Sequence, residues 1–300
     1  MPYLHLSFRH TLRTPGPLIA LEVIASHHRT LHWPAYVAEF IGTALLVFLG
    51  LSVVIFDFGQ GSPAAVLLPD PFLRRLVTGF LFGGVGALLA LSPIGRISGA
   101  HLDPVLSWAF WASGSLSPLD AACYTLAQFL GATLAGLALR PVWGAFGGTV
   151  LFGATVPSAA GPWLAVFGEV LATFALVGGI LWFVGHDRLR AFTPALMPPL
   201  VACLVALEAP WSGTSMNPAR SFGPALPAHT LGVLWVYLLG PLLGAALAAV
   251  ALTRPGRTHV AKLAHHAHDP RGRFHGGAAG SPAARLQQAA GALGRSAQSR

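Results

Sequence analysis

Charge is scarce in this 300-residue chain: Asp, Glu, Lys and Arg together make up 9% of it. A soluble domain usually carries about 25%, so a water-solvated fold is excluded. Hydrophobic residues at 54% point instead to a membrane-spanning chain. Cysteine is rare as well. Cys123 and Cys203 both lie in apolar segments, which excludes a disulfide framework and leaves each as a small hydrophobe. Clusters of Cys, His and acidic residues at ligand spacing are missing, so no metal site and no cofactor is expected. No nucleophile–base pair speaks for an enzyme. The formal net charge of +8 does not indicate a nucleic-acid partner, because the basic residues sit mainly in the tails and two short loops.

Apolar runs are what the chain has in plenty. Spans are expected over residues 33–56, 76–91, 119–139, 163–184, 194–207 and 231–252. Residues 1–32 and 253–300 read as basic tails, the second disordered; its histidines (His259, His265, His266, His268) read as solvated. Residues 140–162 read as a Gly/Pro/Thr-rich connector. The domain expected between the tails covers 33–252, with repeats at 33–140 and 163–252.

The stretch Gly213-Thr214-Ser215-Met216-Asn217-Pro218-Ala219-Arg220-Ser221 is polar, yet lies between two apolar runs. Asn217 is placed to cap a helix whose first position is Pro218, where a missing N–H costs nothing. Such a helix directs its positive dipole end at whatever lies in front. An arginine at membrane depth faces a wet cavity or a partner. A weaker copy, Ser98-Gly99-Ala100-His101-Leu102-Asp103-Pro104-Val105, lies upstream. Other segments repeat too. Ala38-Glu39-Phe40-Ile41-Gly42-Thr43 resembles Gly168-Glu169-Val170-Leu171-Ala172-Thr173, and the segment from Gln128 resembles that from Pro241. Three spans per half force the halves into opposite orientations, so the repeats are inverted. Both termini then share one side. The basic tails, Arg96, Arg188 and Arg190 mark that side as cytoplasmic, while Arg74 and Arg75 fall on the other side against the bias.

Over roughly residues 33–252 these motifs resemble the aquaporin and glycerol-facilitator family, the major intrinsic proteins. Asn217-Pro218-Ala219 and the following Arg220-Ser221-Phe222-Gly223-Pro224-Ala225 match the family signature, and Ser98-Gly99-Ala100-His101 matches the run before the first motif. The resemblance implies an all-α membrane protein of six transmembrane helices plus two re-entrant half-helices. It also implies a passive channel, a homotetramer in the lipid bilayer, and water and small neutral solutes as permeants. The two half-helix dipoles would repel cations and protons at mid-membrane. Asn217 and Arg220 would donate to the permeant, with carbonyls of Gly99, Ala100 and His101 as an acceptor ladder. Glu39, Glu169 and His101 would brace the loops. Composition places the chain in a bacterial inner membrane.

Three departures from the family pattern stand out. Asp103 replaces the usual asparagine and Val105 the usual alanine of the first motif; an ionised carboxylate caps a helix but has no proton to donate, whereas one protonated by a low-dielectric site would donate. The constriction positions fall on Val205, Thr214, Arg220 and Gly83, or on Phe82 in place of Gly83 if one residue is inserted. With Gly83 the filter is wide. Tyr237-Leu238 matches neither subfamily. A coupled secondary transporter and a non-conducting paralogue are the competing readings; the former would need an ion site, for which Asp103 is the only intramembrane acid besides the two bracing glutamates.

Overall fold

A computed structural model describes residues 31–252; the tail expectations, including the C-terminal histidines, fall outside them. The described chain is built of helices with distinct start signals. Proline stands at the first or second position of most, and Ser62, Asp70, Ser92, Asp103, Ser117 and Asn217 cap helix starts by accepting a backbone N–H. The order is α1 (Trp33–Phe58), α2 (Pro63–Leu67), α3 (Pro71–Leu91), α4 (Pro93–Ser98), α5 (Pro104–Ala112), α6 (Pro118–Gly148), α7 (Pro162–Val184), α8 (Thr193–Ser212), α9 (Pro218–Ala228) and α10 (Leu234–Leu252). Among the described residues, six helices are long and apolar enough to cross a membrane. Their outward side chains are bare hydrophobes, such as Leu88 at 71% and Val250 at 82% exposure, as lipid contact requires.

The helices pair by repeat: α1 with α6, α7 with α10, and α3 with α8 between the halves. Small residues set these approaches. A Cβ on Gly131 of α6 would collide with the Phe40 carbonyl of α1. Its repeat counterpart, Gly244 of α10, would put a Cβ 2.5 Å from the Val170 carbonyl of α7. Gly79 and Gly83, one turn apart on α3, both face α8, where a Cβ would stand 2.7 Å from the Val201 carbonyl and 2.6 Å from that of Met197. The short α5 and α9 each pack against both α6 and α10.

Two expected boundaries are corrected. The connector beginning at residue 140 is helical as far as Gly148. Its α-helix contains Pro141 and breaks at Gly144 (φ 51, ψ −137), a position open enough to turn the chain. A 3-10 turn, Leu151–Gly153, follows. The fifth span does not stop at residue 207 but continues to Ser212. Pro210 could end a helix on sequence grounds; here the last turn survives because the carbonyl it strands, that of Ala206, accepts from Arg75 Nε at 3.3 Å.

Candidate pore and constriction

The two polar motifs fold into the same structure twice. Gly99 (φ 96) and Gly213 (φ 83) end the preceding helices in the left-handed region, which glycine adopts without strain. Beyond them the strain is real. Ala100 and Leu102 in one loop, and Thr214 and Met216 in the other, hold φ between 52° and 56°, costing about 1–2 kcal/mol each.

Buried carboxylates hold these loops. Glu39 Oε1 accepts from His101 N at 2.9 Å and its Oε2 from Leu102 N at 2.7 Å. Glu169 repeats this with Ser215 N at 2.6 Å and Met216 N at 2.7 Å. Gln128 Nε2 also donates to Glu39, and Ser212 Oγ to Glu169. Both glutamates are fully buried, so these donors stand in for water around each carboxylate. His101 faces Ser107 Oγ at 3.1 Å and stacks on Phe110, while Ser215 faces Ser221 Oγ at 2.5 Å in the other half.

Each loop then turns into a half-helix. Asp103 Oδ1 accepts from Val105 N at 3.0 Å ahead of Pro104; Asn217 Oδ1 accepts from Ala219 N and Arg220 N ahead of Pro218. Asn217 also uses its second function, donating Nδ2 to the Leu102 carbonyl at 2.8 Å. Asp103 makes no matching bond to the Met216 carbonyl among the described residues.

On the side of the α1 C-terminus the half-helices open into a cavity of about 320 Å³. Val205, Thr214, Arg220 and Phe82 line it. Gly83 does not: its Cα faces the α8 backbone, where there is no room for a side chain. Of these two α3 residues it is Phe82 that lines the cavity, its ring 5.8 Å from the Arg220 guanidinium. Arg220 Nη1 donates to the Gly153 carbonyl at 3.0 Å, so the turn after α6 orients this arginine.

Several site residues escape sequence reading. Tyr124 OH donates to the Ser98 carbonyl at 2.8 Å, and Tyr237 OH to the Ser212 carbonyl at 2.7 Å. Both tyrosines stand four residues before the repeat markers Gln128 and Pro241, a shared offset that could have revealed them. Thr155 Oγ1 lies 2.6 Å from Ser221 Oγ, a contact no local pattern announces. Glu208 on α8 corrects the expectation that Asp103 is the only acid in the membrane besides Glu39 and Glu169. It is 5% exposed, faces Gly168 of α7, and neither carboxylate oxygen has a hydrogen-bond partner.

Six apolar helices, and two capped half-helices meeting through one cross-bond, define a polytopic α-helical membrane protein with an internal repeat. The chain belongs to the major intrinsic protein family, whose model matches residues 26–252. It is 35% identical over 223 residues to aquaporin TIP2-1 of Zea mays, a match covering 72% of this chain and 84% of that protein. It is equally 35% identical over 218 residues to glycerol uptake facilitator protein-like 6 of Lactiplantibacillus plantarum, covering 71% and 94%. The aquaglyceroporin from Plasmodium falciparum has the same fold, with a TM-score of 0.61 at 19% identity over 75% of this chain and 97% of that one.

Proposed function

We propose that the protein is a passive transmembrane channel for water and small uncharged solutes of the glycerol kind, driven by the solute gradient. The observation that carries this reading is the constriction. Arg220 presents guanidinium donors on one part of its wall, and Phe82 and Val205 present apolar surface on another. A polyol, with hydroxyls along one edge and carbons along the other, suits such a wall; water passes through the same donors. Phe82 makes the filter narrower than Gly83 would, while Val205 still offers less bulk and polarity than the histidine of water-selective members. Coupled transport is not favoured.

In this reading Asn217 donates to the permeant oxygen in alternation with the Leu102 carbonyl. Pro104, Val105, Pro218 and Ala219 shape the two half-helix starts. Glu39, Glu169 and His101 keep the strained loops in place, so their carbonyls line the path. Asp103 leaves an acceptor where its counterpart has a donor, which lowers the positive potential at mid-membrane and tunes solute choice. The protein works as a homotetramer in the cell's inner membrane, with both termini in the cytoplasm.

Stopped-flow light scattering of proteoliposomes tests the reading. Shrinkage in sucrose faster than in empty vesicles, followed by fast re-swelling in glycerol, is the expected result. Shrinkage without re-swelling would restrict the channel to water, and rates equal to those of empty vesicles with folded protein would refute it. Asp103→Asn should shift the glycerol-to-water ratio; unchanged water, glycerol and proton fluxes would remove Asp103 from the selecting residues.

A further inference from the structure

The outer cavity contains a second guanidinium. Arg75, one of the two arginines that oppose the charge bias of the chain, lines it together with Arg220. Its neighbour Arg74 is engaged elsewhere: Nη1 donates to the Leu68 carbonyl and the guanidinium lies 4.9 Å from the Phe58 ring centroid. Arg75 is anchored by a single bond, from Nε to the Ala206 carbonyl that Pro210 strands. That bond uses Nε and leaves both Nη groups without a hydrogen bond among the described residues. Neither Arg75 nor Arg220 belongs to an ion pair among the described residues.

No carboxylate lines the cavity among the described residues. Asp57, near its mouth, is buried and accepts from Thr78 Oγ1 at 2.5 Å. Glu169 spends both oxygens on the Ser215 and Met216 amides, and Glu208 lies behind the wall between Gly168 and Thr214. Thr214 lines the cavity without opening its hydroxyl to it, since Oγ1 is buried and lies toward Glu208. The rest of the wall is largely apolar, with Val54, Phe58, Phe82, Val150 and Val201.

We infer that this vestibule is a binding site for a small monoanion with an oxyanion head and a short apolar body, such as a short-chain carboxylate or sulfonate. The head pairs with the Arg75 fork; the body lies on the valines and Phe58. Guanidinium forks match planar and trigonal oxyanions through paired N–H bonds, and a wall without carboxylates leaves the anion unopposed. A bound anion sits over Arg220 and occludes the constriction, so flux of neutral solutes falls as the anion fills the site. The inference rests on the channel reading for its readout only.

The probe is sodium propanesulfonate, which stays ionised and does not cross the bilayer as a neutral acid. Proteoliposomes of the full-length protein carry it at equal concentration on both faces, with chloride making up constant ionic strength, and water efflux is driven by sucrose. Propanesulfonate should slow efflux saturably. Arg75→Gln should raise the half-effect concentration roughly tenfold, the scale of one charge-assisted contact; Arg75→Lys should raise it less, and Arg74→Gln should leave it in place. Equal efflux in chloride and sulfonate, or a midpoint that Arg75→Gln does not move, would overturn the inference. If vesicles with folded protein shrink no faster than empty ones, the channel reading fails instead, and calorimetry on detergent-solubilised protein then decides. Saturable sulfonate heat that Arg75→Gln abolishes would keep the site, and absence of heat in the wild type would discard it.

Discussion

Asn217 and Leu102, 115 positions apart, are joined by a 2.8 Å bond from the Asn217 side-chain amide to the Leu102 carbonyl. It is one-sided, because the residue matching Asn217 in the other half is Asp103. Asn217→Asp would keep the cap and delete the donor. We expect a loss of about 1–3 kcal/mol, read as a lower melting temperature in detergent. Asp103→Asn should do the opposite by restoring a donor toward the Met216 carbonyl, a gain of about 1 kcal/mol. A melting temperature unmoved by both would mean that the two half-helices are held by packing alone.

Glu169→Gln tests the bracing. The amide keeps the shape but turns an NH2 group toward the Ser215 or Met216 N–H. A charge-assisted bond is worth about 1.5–3 kcal/mol, so a loss of that size is expected, with reduced flux. Glu39→Gln should behave alike, since its bonds to His101 and Leu102 have the same pattern. Wild-type melting of either variant would deny the carboxylates their role.

Phe82 and Gly83 should fail in different ways. Phe82→Ala widens the constriction and should raise glycerol re-swelling relative to water shrinkage. Gly83→Ala presses a methyl group onto the Met197 backbone and should cost about 1–3 kcal/mol, the usual range for overpacking, with little change in selectivity. A glycerol-to-water ratio altered by Gly83→Ala and not by Phe82→Ala would reverse the assignment.

Glu208 has two buried acceptor oxygens without hydrogen bonds. Replacing such a group by an apolar one of similar length removes an unmet desolvation cost of about 1–3 kcal/mol. Glu208→Met should therefore raise the melting temperature. A lower one would show that Glu208 has polar support, through water or through Ser212 and Thr214.

Much of the fold was legible because it rests on local signals. Apolar length marks the spans. Capping residues with prolines mark the helix starts, and Glu39 and Glu169 stand out as rare acids in apolar runs at matching repeat positions. Boundaries were less legible where proline was misleading. The connector expected from residue 140 and the span end expected at 207 both lie beside prolines, Pro141 and Pro210, that the helices accommodate, and a distant side chain from α3 satisfies the carbonyl that Pro210 strands.

The sequence alone determined the inverted repeat, the two capped half-helices and the broken symmetry at Asp103, since each depends on residue type at a fixed spacing. Which neighbour lines the pore depended on helix rotation. Adjacent helical residues point about 100° apart, so a one-residue ambiguity exchanges a lumen-facing side chain for a packing one. Only the tertiary structure could choose Phe82 over Gly83, bring Arg75 and Arg220 to one cavity, and bury Glu208 against Gly168. In each case the deciding partner is a residue from another helix, and spacing along a single chain does not encode that approach.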